Sequence, residues 1–215
     1  MAVVTIIGKN SNLYKMLNLE KFKDSNNVIE ISFAEIDKLS NIENPIIFSY
    51  SKKIEENNVF INKIIAKSSG KIVLISSIAS DVFTLIPYYN YPKIKYYSEL
   101  IVKKTNDFEI IKVGIIKNKM ELEREFYGLV KYTSINKLEN ALEVLNFNYK
   151  TQNIIECWEL VNVINNSVFK FIYFFQKNIY KLSLRIFYLF RPLLILYRII
   201  GYKNYGYTFI ANKLK

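Results

Sequence analysis

The stretch KIVLISSIASDVFTLIPYYNYPKIK, residues 71–95, decides both the predicted fold and the predicted site. It opens with the apolar run Ile72–Ile75, which is typical of a buried strand, and two serines follow, of which Ser77 is the second. Tyr91 follows Ser77 by fourteen residues and Lys95 follows Tyr91 by four, so a phenol and an ammonium share one face of a helix. Such a pair can transfer a proton at neutral pH, because a nearby cation favours the phenolate. A serine hydroxyl at the end of the neighbouring strand can hold a substrate oxygen against that phenol.

The amino-acid composition excludes several classes of chemistry. The chain has 215 residues, of which 51% are hydrophobic, so it can bury the core of one full domain. It contains one cysteine, Cys157, and no histidine, which excludes a disulfide framework, Ser-His-Asp hydrolysis and most transition-metal sites. We therefore predict no metal site, and any general acid or base must be Tyr, Lys, Asp or Glu. Met1 leads directly into a strand-like run without a signal peptide, which predicts a cytoplasmic protein.

Strand-like and helix-like segments alternate through about residue 116. Besides the run at Ile72, the predicted strands are Ala2–Ile7, Val28–Ser32, Pro45–Ser49 and Phe108–Ile116. This alternation predicts an α/β fold with a doubly wound, Rossmann-like parallel sheet in residues 1–117. Residues 118–166 are predicted to form a reduced substrate region, with a helix over 135–145 and a short strand over 153–158. Only a small or open pocket can be built from so short a region.

A glycine turn follows the first predicted strand. Gly8 is followed by Lys9, Asn10, Ser11 and Asn12, and an amphipathic segment starts at Leu13. Strand, glycine turn and helix form the opening of a dinucleotide-binding fold, in which N–H groups at the helix N-terminus hold a pyrophosphate. One of the usual three glycines is present, although Ser11 and Asn12 suit a looser turn and Lys9 can reach a phosphate. On this motif alone, a strand-to-helix turn without a ligand is the favoured interpretation.

The order of strand, Ser77, Tyr91 and Lys95 resembles the short-chain dehydrogenase/reductase family, especially its extended branch of sugar-nucleotide epimerases and dehydratases. The triplet Asn57-Asn58-Val59 is similar to the N-N-V near the start of a helix in sugar epimerases. The resemblance implies that Tyr91 transfers a proton, that Lys95 assists it and holds the nicotinamide ribose, and that Ser77 binds the reacting oxygen. It also implies that NAD or NADP is the cofactor, with a hydride moving to or from it.

The resemblance further implies where the cofactor binds. The implied residues lie at the ends of the first three predicted strands, in the segments that follow them, or on the predicted helices: Gly8, Lys9, Asn10, Ser11, Asn12, Leu13, Ser32, Ser49, Tyr50, Ser51, Asn58 and Lys95. In NAD-binding relatives an acidic residue closes the second strand and holds the ribose hydroxyls, whereas here that place falls on Ser32, with Glu35 just beyond. No arginine nearby argues for a 2′-phosphate, so NAD and NADP both remain open.

Two functional hypotheses follow from these residues. The first is an NAD(P)-dependent oxidoreductase or epimerase that acts on a nucleotide- or polyprenyl-linked sugar in bacterial surface polysaccharide synthesis. The second is a non-catalytic, membrane-tethered member of the fold that serves as a binding or scaffold protein. Gly8 favours the second hypothesis, and the set of Ser77, Tyr91 and Lys95 favours the first. Nucleotide titration discriminates between them. The sequence leaves a homo-oligomer open.

The C-terminal segment, residues 167–215, differs from the rest of the chain. From Leu160 to Lys215 there are nine Lys or Arg residues and no Asp or Glu. The six cations of Val168–Ile200 fall within an arc of roughly 140° on a helix, and large apolar residues fill the rest. This pattern predicts amphipathic helices, interrupted at Pro192, that lie on anionic lipid at the inner face of the cell membrane. The alternative is a helix pair packed on the domain or on a second subunit. Nucleic acid is disfavoured, because the cations are sparse and set in apolar surface.

Overall fold

The computed structural model describes residues 1–48, 50–85, 90–117 and 129–162. The strands in this part are β1 (Val3–Ile7), β2 (Asn27–Ile31), β3 (Ile42–Glu43), β4 (Pro45–Ile47), β5 (Ser68–Ser69), β6 (Ile72–Ser77), β7 (Phe108–Val113), β8 (Leu129–Tyr132), β9 (Gln152–Cys157) and β10 (Glu159–Asn162). The α-helices are α1 (Asn12–Lys15), α2 (Glu20–Ser25), α3 (Ile54–Lys67), α4 (Asn90–Val102) and α5 (Ile135–Glu143). Two 3-10 helices span Phe33–Lys38 and Ile78–Leu85. Ser49 and the segment 167–215, both named above, lie outside the described residues.

Six of the described strands form one parallel sheet in the order β2-β1-β4-β6-β7-β9. All six residues of β6 and all six of β7 are buried, as expected for strands covered on both faces of a parallel sheet. β1 lies between β2 and β4, so the chain reverses its direction across the sheet there, which creates a topological switch point. The predicted doubly wound α/β fold is therefore confirmed, with strand bounds that differ from the expected ones by one to three residues.

Helix α3 supplies much of the core on one face of the sheet. Its buried residues Asn57, Phe60, Ile61 and Ile64 recur at spacings of three and four, which places them on one side of the helix. The apolar members of this set pack in one cluster with strand residues such as Ile7, Ile47, Leu74 and Ile110. The exposed face of α3 begins with two acidic residues in its first turn and ends with Lys67, a charge distribution that favours the helix dipole.

The predicted helix after the Gly8 turn is short. α1 spans four residues, and beyond it the N–H of Met16 donates to the carbonyl of Leu13 and the N–H of Leu17 to that of Tyr14. Asn18 then interrupts the helical backbone, because its side chain accepts the N–H of Glu20 at 3.2 Å and its own N–H bonds to Glu139 of α5. Hence no long helix starts directly at the glycine turn.

The described chain divides into two compact units. The described residues up to 114 and residues 134–158 form the first unit, and residues 115–117, 129–133 and 159–162 are the described part of the second. In the first, β9 pairs with β7 along its whole length, and Ser134 caps the N-terminus of α5 because its side chain accepts the N–H of Lys137. In the second, β8 and β10 form an antiparallel pair, and Ile115 bridges to Tyr132. The predicted domain boundaries at 117 and 166 stay a prediction.

A buried ion pair lies at the amino end of the central strands. Lys71, which is 0% exposed, places its Nζ 2.8 Å from Oε1 of Glu109 in β7 and donates to the carbonyl of Asn146 at 2.5 Å. Thr151, just before β9, donates its hydroxyl to the same Glu109 oxygen at 3.0 Å. These bonds connect β6, β7 and the segment between α5 and β9 at the edge of the sheet opposite the predicted site.

Among the described residues, no helix has the length and apolarity that a membrane crossing requires.

Candidate active site

The carboxyl ends of three adjacent strands bring the predicted segments together. Gly8 follows β1, Phe48 follows β4, and Ser77 is the last residue of β6. The three strands are neighbours in a parallel sheet, so these residues lie along one edge. The N–H of Phe48 donates to the carbonyl of Ile7 at 2.9 Å, which continues the β1–β4 pairing up to this edge. Ligands of open α/β sheets bind at this edge, beside the switch point.

The Gly8 turn has the backbone conformation of a glycine turn, but several of its N–H groups are already bonded. Gly8 has φ +106°, which a residue with a Cβ rarely adopts. The N–H groups of Gly8 and Lys9 both donate to the carbonyl of Ile31, at 2.9 and 3.2 Å, and the N–H of Ser11 donates to Gly8. The Ser11 hydroxyl caps α1 by accepting the N–H of Tyr14 at 3.2 Å. These N–H groups are therefore used inside the turn, while Asn10, Asn12 and Leu13 complete it.

Lys9 and Ser32, which were predicted as separate cofactor ligands, both bond to the carboxylate of Glu35. The Lys9 Nζ lies 2.9 Å from Oε2 of Glu35, and the same oxygen accepts the N–H of Ser32 at 2.6 Å. The hydrogen bonds from Ser32 and Lys9 lower the pKa of Glu35 to about 2. Sequence reasoning placed Ser32 at the end of the second strand and left Glu35 aside. The S-x-x-E spacing typical of a capping box was the signal that connects them.

Tyr91 and Lys95 form a compact cluster with Tyr50. The Lys95 Nζ lies 4.8 Å from the centroid of the Tyr50 ring and 5.9 Å from that of Tyr91, within the range of cation–π contact. The two rings pack edge to face with centroids 5.3 Å apart. The Lys95 Nζ also donates to the carbonyl of Ile75 in β6 at 2.9 Å. Sequence reasoning placed Tyr50 with the cofactor, and the structure places it against the predicted catalytic pair.

Burial changes the acidity of Lys95. The residue is 5% exposed, and burial lowers its pKa from 10.5 to about 8, although the carboxylate of Glu99 opposes the shift. The side chain therefore remains mostly protonated at pH 7 but gives up its proton far more readily than an exposed lysine. A buried lysine with a lowered pKa beside a phenol is a common feature of acid–base sites.

Ser77 lies at the end of β6 and is buried in a tight turn. Its hydroxyl oxygen accepts the N–H of Ala79 at 3.2 Å, and its carbonyl accepts the hydroxyl of Ser80 at 2.8 Å. A serine that accepts one hydrogen bond retains its own O–H as a donor. Ser77 is two residues from the Ile75 carbonyl that holds Lys95. The structure thus brings Tyr50, Tyr91 and Lys95 together and places Ser77 at the same strand end, engaged in its own turn.

The two asparagines at the start of α3 have different roles. Asn57 is fully buried, accepts the N–H of Ser51 at 3.1 Å and donates to the Ser98 hydroxyl of α4 at 2.8 Å. It therefore fixes the segment Tyr50-Ser51 next to α4, a role that sequence reasoning missed although it noted the N-N pair. Asn58 is half-buried, and its Oδ1 atom is buried without a hydrogen-bond donor in the part of the chain that the structure describes.

A second polar cluster that sequence reasoning missed lies beside α4. The carboxylate of Glu99, 2% exposed, accepts the hydroxyl of Ser76 at 2.5 Å and lies 3.2 Å from Nζ of Lys112. Lys112 also pairs with Asp81. Burial lowers the pKa of Lys112, but its bonds to Asp81 and the charges of Glu99 and Asp81 outweigh burial and raise it above its usual value. The signal was the Y-x-x-x-K-x-x-x-E spacing, which puts Glu99 on the same helix face as the predicted pair.

Cysteine and acidic side chains do not cluster in metal-binding groups of three or more anywhere in the described ranges.

Comparison with known proteins identifies the fold. No protein-family model and no curated protein matches the sequence. A short-chain dehydrogenase/reductase superfamily protein from Agrobacterium tumefaciens, with bound NAD, is similar with a TM-score of 0.59 and 9% identity over 75% of this chain and 79% of that one. UDP-N-acetylglucosamine 4-epimerase from Bacillus cereus is similar with a TM-score of 0.56 and 11% identity over 75% of this chain and 80% of that one. Vestitone reductase from alfalfa is similar with a TM-score of 0.55 and 10% identity over 75% of this chain and 78% of that one.

Identities this low show the fold alone, and the fold of this chain is similar to that of a short-chain dehydrogenase/reductase superfamily protein. The fold implied by the order of Ser77, Tyr91 and Lys95 is thus confirmed.

Proposed function

We propose that the protein is an NAD(P)-dependent oxidoreductase or epimerase that acts on a sugar carried by a nucleotide or a polyprenyl lipid. The observation that supports this most strongly is the buried Lys95 beside Tyr91, at the carboxyl edge of a doubly wound sheet. Similar structures include an epimerase of a nucleotide sugar and a superfamily protein with bound NAD. Lys95 differs from the buried Lys71 because no carboxylate among the described residues pairs with it directly, so desolvation of its charge opposes folding.

The residues present suit the two ends of a dinucleotide unequally. At the nicotinamide end, Lys95 offers a buried ammonium and Tyr50 offers a ring beside Tyr91. The buried Oδ1 of Asn58 is an acceptor for a hydroxyl of a ligand. At the pyrophosphate end, the four-residue α1 and the bonded N–H groups of Gly8, Lys9 and Ser11 provide a weaker cradle than a three-glycine turn. We therefore expect specific but weak cofactor binding.

The proposed chemistry uses three side chains of the chain. Tyr91 passes a proton to or from the reacting oxygen of the sugar, and the ammonium of Lys95 stabilises the phenolate that results. The O–H of Ser77 donates to the same reacting oxygen, while its hydroxyl oxygen stays bonded to Ala79. A nicotinamide cofactor held by Lys95 would supply or accept the hydride.

Cofactor titration tests the proposal. Titration of the full chain with NADH and NADPH, followed by nicotinamide fluorescence, is expected to give saturable binding with a dissociation constant in the micromolar to millimolar range. Lys95→Met should weaken binding by at least tenfold, because the ribose loses a charged donor. Lys93→Met, two residues away on the same helix, is the matched control and should bind as the wild type does. If neither nucleotide binds at millimolar concentration, the non-catalytic binding or scaffold function replaces this proposal.

Tyr91→Phe separates chemistry from binding. The variant is expected to lose turnover of a keto-sugar nucleotide by roughly 10²–10⁴-fold, the range that a positioned acid or base contributes. Its affinity for NADH should stay within about twofold, because the ring that packs on Tyr50 is kept and only a hydroxyl is lost. Turnover is followed by the loss of nicotinamide absorbance. Unchanged turnover would show that Tyr91 is not the proton donor.

We further propose that the protein works at the inner face of the cell membrane in surface polysaccharide synthesis, which suits a lipid-linked sugar. The support is the acid-free, basic sequence from Leu160 onward. The full chain should sediment with vesicles that contain anionic lipid and not with neutral vesicles, since each cation near the surface contributes about 1 kcal/mol of attraction. Exchanging Lys177, Lys181 and Arg185 for Glu should abolish the sedimentation with anionic vesicles. Equal binding to neutral vesicles, or none to either kind, contradicts the proposal.

A further inference from the structure

Two hydrogen bonds join helix α4 to two consecutive residues at the end of β6, Ile75 and Ser76. Lys95 donates its Nζ to the carbonyl of Ile75 at 2.9 Å, and Glu99, one turn later, accepts the hydroxyl of Ser76 at 2.5 Å. The next residue of β6 is Ser77, the proposed substrate-oxygen ligand. The two bonds therefore set which part of α4 faces the strand end that carries Ser77.

The site that receives Glu99 is built from two neighbouring strands. Ser76 of β6 and Lys112 of β7 are partners in the parallel register, and both contact the Glu99 carboxylate, one at each oxygen. Lys112 in turn pairs with Asp81, which belongs to the 3-10 helix directly after β6. Thus one carboxylate on α4 connects to β6, to β7 and, through Lys112, to the segment that follows Ser77.

A charged residue is an unusual means of attaching a helix. Glu99 and Lys112 are 2% and 7% exposed, and a buried ion pair is often no more stabilising than apolar residues of the same shape. What a carboxylate adds is a fixed geometry and a negative charge. Lys95 lies one turn before Glu99 on the same helix face. Among the described residues no carboxylate pairs with Lys95 directly, and Glu99 is the anion whose charge acts on it.

We propose that Glu99 is the positioning residue of the Tyr91–Lys95 site: held by Ser76 and Lys112, it fixes the register of α4 against Ser77 and keeps the buried Lys95 cationic. The inference rests on the proposed function for its catalytic meaning. The positioning itself is measured on Lys95 without cofactor or substrate.

The charged and titratable groups around Lys95 come from every element packed on it. Tyr50 faces it from the segment after β4, and Tyr91 and Glu99 face it from α4. Behind Glu99 lie Lys112 of β7, which pairs with Asp81, and Lys103, the residue directly after α4, at 4.0 Å from the carboxylate. Removing the Glu99 charge alone is expected to lower the pKa of Lys95 below its value of about 8, because the Glu99 carboxylate is the charge that opposes the effect of burial.

The test is a pH titration of the Lys95 side-chain nitrogen by NMR in the full chain labelled with 15N-lysine, the signal being assigned from its absence in Lys95→Met. Glu99→Gln, which keeps the shape, is expected to lower the Lys95 midpoint by half a pH unit or more. Glu109→Gln is the matched control: it removes an equally buried carboxylate from a lysine pair at the opposite edge of the same sheet, and should leave the midpoint unchanged. Should Glu99→Gln not fold, the triple variant Glu99→Gln/Lys112→Gln/Asp81→Asn, which neutralises the whole charge cluster, takes its place with the same expected direction.

An unchanged Lys95 midpoint in the folded Glu99 variant, or an equal shift in Glu109→Gln, overturns the inference. NADH titration of the same samples keeps the two proposals apart. If wild type binds NADH and the midpoint moves, Glu99→Gln should lose affinity at a lower pH than wild type. If the midpoint moves and wild type binds no NADH, positioning holds and the proposed function fails.

Discussion

Lys71→Ala is expected to lower the free energy of unfolding by about 3–5 kcal/mol, the range for removing one partner of a buried ion pair. The reason is the environment of Glu109. Its carboxylate is buried and is held by the Lys71 ammonium at 2.8 Å and the Thr151 hydroxyl at 3.0 Å. Without the ammonium, one hydroxyl remains to compensate a charge that has little access to water. The Asn146 carbonyl also loses its donor.

Urea unfolding followed by circular dichroism measures the effect. Lys71→Met/Glu109→Leu, which removes both charges and keeps apolar volume, should recover most of the loss, because the destabilisation comes from the unpaired charge. Lys53→Ala is the surface control, since its ion pair with Glu56 is exposed and should be worth little. If Lys71→Ala unfolds at the same urea concentration as Lys53→Ala, the pair is not the stabilising contact that its burial indicates.

This ion pair shows which part of the fold the sequence leaves undetermined. The existence of the strands followed from apolar runs, because buried parallel strands need such runs whatever their neighbours are. The partner of Lys71 lies 38 residues away in β7, and it becomes a partner through the register of two strands. The same register places Ser76 next to Lys112 and creates the site for Glu99. Such pairings depend on three-dimensional neighbours, which periodicity along the chain does not contain.

The candidate site divides in the same way. Tyr91 and Lys95 were predictable, because helical spacing puts i and i+4 on one face, and the structure places both side chains in one cluster with Tyr50. The Gly8 turn was predictable from its glycine, whose positive φ is observed. The length of the following helix was not, because it depends on Asn18 bonding to Glu139, a residue of α5. Ser49 and residues 86–89, 118–128 and 163–215 lie outside the described residues, and the predictions that fall there stay predictions.

Lys95→Met is expected to raise stability at neutral pH, although it removes the proposed cofactor ligand. The pKa of Lys95 is lowered from 10.5 to about 8 by burial, so the folded state binds its proton less tightly than the unfolded state does. At pH 7 the lysine is charged in both states, and the buried charge costs about 3 kcal/mol, since each pKa unit corresponds to about 1.4 kcal/mol. Between pH 8 and 10.5 the unfolded chain binds more protons than the folded one. Wild-type stability therefore rises through this window, because the buried lysine loses its charge in the folded state.

The measurement is the difference in unfolding free energy between Lys95→Met and wild type, taken at pH 7 and at pH 10. The difference should favour the variant more at pH 7 than at pH 10, by about 2–3 kcal/mol, and the loss of the bond to Ile75 shifts both values equally. Lys93→Met should show no such dependence on pH. A pH-independent difference would mean that Lys95 is not held in a desolvated state. A lysine that destabilises its own fold is better explained by what its ammonium binds than by packing, and the same variant should therefore gain stability and lose NADH together.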